Sequence, residues 1–119
     1  MGPPHELDDE ARTLLSGERA ALEAGLADAE HAVDDVRRAR SDADADDEHD
    51  PEGSTLSQQW SHTHGLVVSL RERLAENAAA VARLDAGTYG VCVRCGQPVG
   101  AARLGARPSA ALCVACASR

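Results

Sequence analysis

Phenylalanine is absent from this 119-residue chain, and tryptophan and tyrosine occur once each. A large globular core draws on aromatic bulk. The apolar fraction here is mostly Ala, Leu and Val, a composition that favours helix–helix seams. Lysine is absent too, so all 12 cations are arginine, and against 20 acids they leave a net charge of -8. That balance argues against general nucleic-acid binding, where basic patches supply the affinity. No apolar run approaches the ~18 residues of a membrane span. Met1 to Glu10 is polar and acidic, unlike a secretory signal. These absences lead to the expectation of a cytoplasmic protein with no membrane segment. The length suits one domain, or an elongated element plus a small module.

What is present divides into two helical stretches and a cysteine-rich end. From Leu7 to Arg40 the residues are good helix formers, with Gly17 and Gly25 against them. Leu15, Leu22, Ala29 and Val36 recur at seven-residue steps, with Leu26 and Val33 beside them and Arg12, Arg19 and Arg40 at the other seam position. The second stretch is better patterned. Leu56, Trp60, Thr63, Val67, Leu70, Leu74, Asn77, Val81 and Leu84 follow alternating steps of four and three. Thr63 and Asn77 interrupt that stripe, Trp60 reads as core, and a buried Asn in such a seam can set register. Gly87 is a suitable left-handed cap for its end.

Between the stretches lies SDADADDEHDPEGST, with seven acids and no arginine. Two helices of similar length joined by a polar connector fold back antiparallel. At about 30 residues each, with 1.5 Å rise, they make a rod of roughly 45 Å. Pairing Leu22 with Asn77 and Val33 with Val67 centres the turn near His49–Asp50. Asp50-Pro51 offers an N-cap for the second helix, and Thr55 with Gln58 offers a later capping box. The expected fold is therefore mostly α: a long antiparallel two-helix coiled-coil hairpin over 1–86, its acidic tip loop at 42–53, and a four-cysteine zinc ribbon over 87–119.

The ribbon is read from Cys92-Val-Arg-Cys95 and Cys113-Val-Ala-Cys116, a C-x2-C-x17-C-x2-C pattern in a stretch without acids. Paired cysteines in a reducing compartment point to metal rather than disulfides. Two thiolates on each tight turn supply the four tetrahedral ligands zinc prefers, and Gly96 suits the positive φ such a turn needs. With Cys92, Cys95, Cys113 and Cys116 all ligating, no position is left for water or substrate, so one structural Zn2+ is expected. Its binding energy is largely folding energy, about 10–16 kcal/mol in small zinc modules.

This stretch resembles the four-cysteine zinc finger of the DksA/TraR family of bacterial regulators. The likeness runs through Gly87, Tyr89-Gly90, Cys92, Cys95-Gly96, Arg103-Leu104, Ala106, Pro108, Ala110, Cys113 and Cys116. The helical hairpin before it matches the family's layout. The resemblance implies a transcription regulator that binds RNA polymerase, its coiled coil in the secondary channel and its tip carboxylates near the active site, modulating initiation. On that reading Asp44, Asp46, Asp47, Glu48 and Asp50 form the partner-binding tip, and Arg94, Arg103 and Arg107 a weaker docking surface on the finger. It implies a monomer, no sequence-specific nucleic-acid contact and no enzymatic activity.

Two departures stand out. The best-known members carry Asp-x-x-Asp-x-Ala at the tip, whereas Asp44-Ala-Asp-Asp47-Glu-His49 has His in place of Ala; DDEHDPEG resembles the tip of actinobacterial relatives. The chain ends three residues after Cys116, without the C-terminal helix of longer members, so direct dependence on the alarmone ppGpp is not expected. Two other readings use the same residues: a zinc-stabilised coiled-coil interaction adaptor, and a thiol-based redox sensor. No nucleophile–base pair or phosphate loop stands out.

Overall fold

A computed structural model describes the backbone of residues 4–46 and 52–119, and side chains within 7–42 and 55–119. The element order is α1 (Pro4–Asp46), α2 (Glu52–Ala86), α3 (Ala101–Ala106) and α4 (Val114–Ala117). Among the described residues β structure is confined to one isolated antiparallel bridge, Val91 with Pro98. No described helix is long and apolar enough to cross a membrane.

At 43 and 35 residues, α1 and α2 exceed the expected length. The expected loop at 42–53 is correspondingly shorter, because residues 42–46 belong to α1 and residues 52–53 to α2. Extending an existing helix adds one hydrogen bond per residue without a new nucleus. Ala43 and Ala45 favour that extension among the aspartates, and no Gly or Pro intervenes before Pro51. Asp47, Glu48, His49, Asp50 and Pro51 lie outside the described residues, and Asp44 and Asp46 are described by backbone alone.

The chain forms two compact units. One takes the chain up to Ala21 and resumes at Arg73; the other is Leu22–Glu72. In the first, Ala11 and Leu15 of α1 pack with Ala80 and Leu84 of α2, and Val81 and Tyr89 close around them. Full burial of a side chain such as Leu15 contributes about 2–3 kcal/mol. An exposed ion pair, Arg12 with Asp85, flanks this cluster; such pairs add about 0–1 kcal/mol. In the second unit, Ala29 and Val33 pack with Val67, bordered by Leu26 and Leu70. In the first unit early residues of α1 meet late residues of α2, and in the second Gly25 lies against Leu70 while Val33 packs with Val67, so within each unit the helices run antiparallel.

All nine stripe residues of α2 are buried or half-buried. The α1 seam is different near its start. Ala11 is buried and Glu18 half-buried, whereas Arg12 and Arg19, expected on the seam, are exposed. A straight helix drifts by about 20° per seven residues from a strict heptad, which is enough to bring the preceding residue to the contact. Val33 and Val67 share a cluster, as the expected pairing requires. Asn77 reaches Leu15 and Glu18, about one turn or more before Leu22.

Trp60 is half-buried rather than core. Its ring stacks on that of His64, with centroids 4.7 Å apart and planes 6° from parallel. The Arg40 guanidinium lies 6.0 Å from its centroid, within the usual cation–π range. Thr63 turns its hydroxyl onto its own helix and donates to Gln59 O at 2.9 Å and Trp60 O at 3.2 Å.

Candidate metal centre

Helix α2 ends where Gly87, at φ 80°, reverses the chain. Gly87 N–H donates to Leu84 O (3.2 Å) and Thr88 N–H to Arg83 O (2.8 Å). This is the Schellman pattern, which satisfies carbonyls the helix end leaves open. The chain then enters the cysteine module with a defined direction.

The first cysteine turn is closed by Gly96 N–H donating to Cys92 O at 2.9 Å, with Gly96 at φ 77°. Cys92 N–H donates to Gln97 O (2.8 Å) and Val99 N–H to Gly90 O (2.8 Å), folding the strand-like arms together. The second turn is capped by α4, where Ala117 N–H donates to Cys113 O at 2.9 Å. Val93 N–H donating to Ala111 O (3.0 Å) joins the two turns. Their small core is Cys92, Val99, Ala110 and Cys116, with Leu104 and Leu112 packed against it.

The four Sγ atoms lie within 4.8 Å of one another. Cys95 Sγ and Cys113 Sγ are 3.8 Å apart, and all four cysteines are free thiols. A tetrahedron with Zn–S arms of about 2.3 Å has S···S edges of about 3.8 Å. The donor set and spacing fit one structural Zn2+ with every coordination position filled by protein. Cys92 and Cys116 are buried, Cys113 is half-buried and Cys95 is exposed.

Electrostatics separate the four. Backbone hydrogen bonds from Cys113 and Cys95 hold the Cys92 thiol down to about 6. The backbone of Cys116 lowers Cys113 as well. Burial pushes the Cys116 thiol up to about 12. A cation that takes all four as thiolates must therefore displace the Cys116 proton at neutral pH.

The finger arginines make internal contacts. Arg94 Nη1 donates to Cys116 O at 3.1 Å, and Arg103 Nε donates to Leu112 O at 2.8 Å. Arg107 pairs with Glu76 of α2 at 3.3 Å. Arg103 and Arg107 also line a cavity of about 300 Å³ with Glu76 and Arg83; one Arg83 nitrogen, Nη2, is buried without a hydrogen-bond partner.

A carboxylate missed in the sequence ties the finger to the helices. Glu18 Oε1 accepts from Asn77 Nδ2 at 2.9 Å and from Ser109 Oγ at 2.7 Å. Asn77 Nδ2 also donates to Leu15 O at 2.9 Å. Asn77 and Ser109 are buried, so this one oxygen satisfies donors from α2 and from the finger. Nearby, Tyr89 OH donates to Pro108 O at 2.6 Å. The available signal was Asn77 itself, since a buried amide on an apolar stripe requires a polar partner.

A helical chain with a four-thiol metal centre is a small zinc-finger protein. Residues 87–119 match the family described as prokaryotic dksA/traR C4-type zinc finger. The fold is similar to a structure titled as transcription factor DksA2 from Pseudomonas aeruginosa, with a TM-score of 0.76 and 27% identity, covering 94% of this chain and 81% of that one. No curated protein matches the chain. Residues 87–119 therefore form a zinc finger of the dksA/traR C4 type, and the chain as a whole is similar in fold to that transcription factor.

Proposed function

We propose that the chain is a cytoplasmic transcription regulator that binds RNA polymerase as a monomer, without catalysis of its own and without reading DNA sequence. The helical hairpin of 1–86 enters the secondary channel, and the finger of 87–119 holds its base. Asp44, Asp46, Asp47, Glu48 and Asp50 reach toward the active site and modulate initiation. Exposed Arg94 and Arg107, with half-buried Arg103, supply the finger's docking charge. Cys92, Cys95, Cys113 and Cys116 ligate the zinc.

The observation that carries this reading is the pairing of a family-type finger with two long antiparallel helices, together with the likeness to a transcription factor. In the sequence, the acidic run extends from the end of α1 to the start of α2. A dense group of carboxylates acts on cations, arginines or bound water.

Binding of zinc-loaded protein to purified core polymerase tests the partner; no detectable complex would defeat the proposal. Substituting Asp46, Asp47 and Asp50 together by Asn tests the tip. Helicity and polymerase affinity are expected to hold while the effect on transcription disappears. Normal promoter output from that variant would reduce the acidic run to a linker.

A further inference from the structure

The acidic run is flanked by a stretch of hairpin with little to fix it. Among the described side chains, none of 34–42 on α1 and none of 55–66 on α2 is buried. Val36, Ala39, Leu56, Trp60 and Thr63 are half-buried there, and Thr63 turns its hydroxyl to its own helix. A half-exposed seam resists separation but selects register weakly, because neighbouring pairings bury similar apolar area. A slip of one residue turns every later side chain of a helix by about 100°. Asp42, Asp44 and Asp46 follow closely after Arg40 on α1, so their directions depend on how α1 is seated at Arg40.

Among the described residues of this stretch, one directional contact joins the two helices. The Arg40 guanidinium of α1 lies over the Trp60 ring of α2, 6.0 Å from its centroid. His64 comes four residues after Trp60, on the same side of α2. It stacks on that ring at 4.7 Å, 6° from parallel. His64 thereby holds the plane of the indole, and the indole sets where the guanidinium rests. Leucine, used at Leu56, Leu70, Leu74 and Leu84 of the same stripe, is the better helix former. What tryptophan adds at this half-buried position is a broad π-face. Arg40 is the matching choice, a planar cation on a seam where an apolar side chain would bury more area.

We propose that Arg40, Trp60 and His64 are positioning residues for the acidic run: their stack sets the register of α1 against α2 ahead of the tip. The carboxylates then meet the polymerase in one arrangement. The inference rests on the polymerase-binding reading above and gives these side chains a part in the effect on transcription without contact to the polymerase. The seam gives up apolar area and gains direction, as a coiled coil does with a polar residue that specifies register.

The test separates affinity from effect, with zinc-loaded full chains, purified polymerase and promoter output in vitro. Trp60→Leu changes no charge and keeps the apolar stripe, so helicity and thermal stability should match or exceed the parent. Affinity for polymerase should stay within about twofold while the effect on promoter output falls by about fivefold. Trp60→Phe keeps a π-face and should retain most of the effect. Arg40→Leu should lose as much as Trp60→Leu, and the double variant no more than either, because both break the same contact. In the free parent, the ring current of Trp60 should shift Arg40 and His64 side-chain protons upfield in NMR spectra, and Trp60→Leu should remove the shift.

A full effect from Trp60→Leu, with the parent active, overturns the inference and leaves the polymerase reading standing. The same holds for a Phe variant no better than Leu, or for losses that multiply in the double variant. A fall in affinity as large as the fall in effect makes these residues polymerase contacts and also overturns it. Absence of the ring-current shift in the parent removes the stack itself, whatever the polymerase does. A parent that does not bind polymerase removes both readings.

Discussion

The two compact units are built from the same pair of helices but held by different means. The unit containing the finger has a metal centre, a Schellman turn at Gly87 and a buried carboxylate that accepts from two elements. The other, Leu22–Glu72, has three clustered buried residues, Ala29, Val33 and Val67, and an aromatic stack at its side. Polar groups buried with their partners impose geometry, because any misplacement leaves a donor unsatisfied. A short apolar seam imposes little beyond burial. Geometry is thus concentrated around the finger, while the helical unit depends on seam packing.

The sharpest way to break this contrast is Cys113→Ser. Loss of one thiolate should abolish zinc retention against a chelator and unfold the finger, removing most of the roughly 10–16 kcal/mol that metal binding lends such modules. Zinc stoichiometry and proteolysis of 87–119 would register it. Retained zinc and an intact finger would contradict the four-thiol site. Next comes Glu18→Ala, which leaves the buried Ser109 hydroxyl without its acceptor and Asn77 with one fewer. A cost of about 2 kcal/mol in urea unfolding of the zinc-loaded protein is expected, with Glu18→Gln milder. Val67→Ala probes the other unit and should cost about 1.5 kcal/mol for two buried methyl groups, with zinc content untouched. A larger loss there than for Glu18→Ala would reverse the comparison.

The smallest effect concerns pH. Burial, and then the Glu18 carboxylate, raise the Tyr89 phenol above its ordinary 10.0. The folded protein favours the neutral phenol, so the unfolded chain ionises first. This contribution to stability is complete below about pH 10 and is lost as pH rises through the folded value. The stability of the zinc-loaded protein should therefore fall above about pH 10, and Tyr89→Phe should flatten that slope. An identical slope in the Phe variant would assign the loss to other groups.

Much of this was legible along the chain. The cysteine spacing identified all four members of the thiol cluster, because each pair sits on one tight turn whose geometry is local. Gly87 and Gly96 adopt the positive φ their positions required. The α2 stripe was correct at each of its nine residues because its alternating steps follow the contact line without a break. Along α1 two neighbouring stripes carried mixed residues, and the sequence could not choose between Arg12 and Ala11, or Arg19 and Glu18. Trp60 read as core from its position on the stripe, yet it is half-buried and stacks on His64. The helical extension to Asp46 was obscured by charge: seven acids read as a loop, while the alanines among them carried the helix on.

By itself, then, the sequence determined the metal chemistry, the helical character of the two stretches and the stop at Gly87. Each depends on residues within a few positions of one another, where backbone geometry is set by local sterics and hydrogen bonds. Only tertiary structure decided which face of α1 meets α2, that Glu18 bridges Asn77 and Ser109, and that Arg40 lies over Trp60. Those outcomes depend on groups far apart in the chain, 91 positions for the Glu18–Ser109 hydrogen bond, and no local pattern encodes the distance between them.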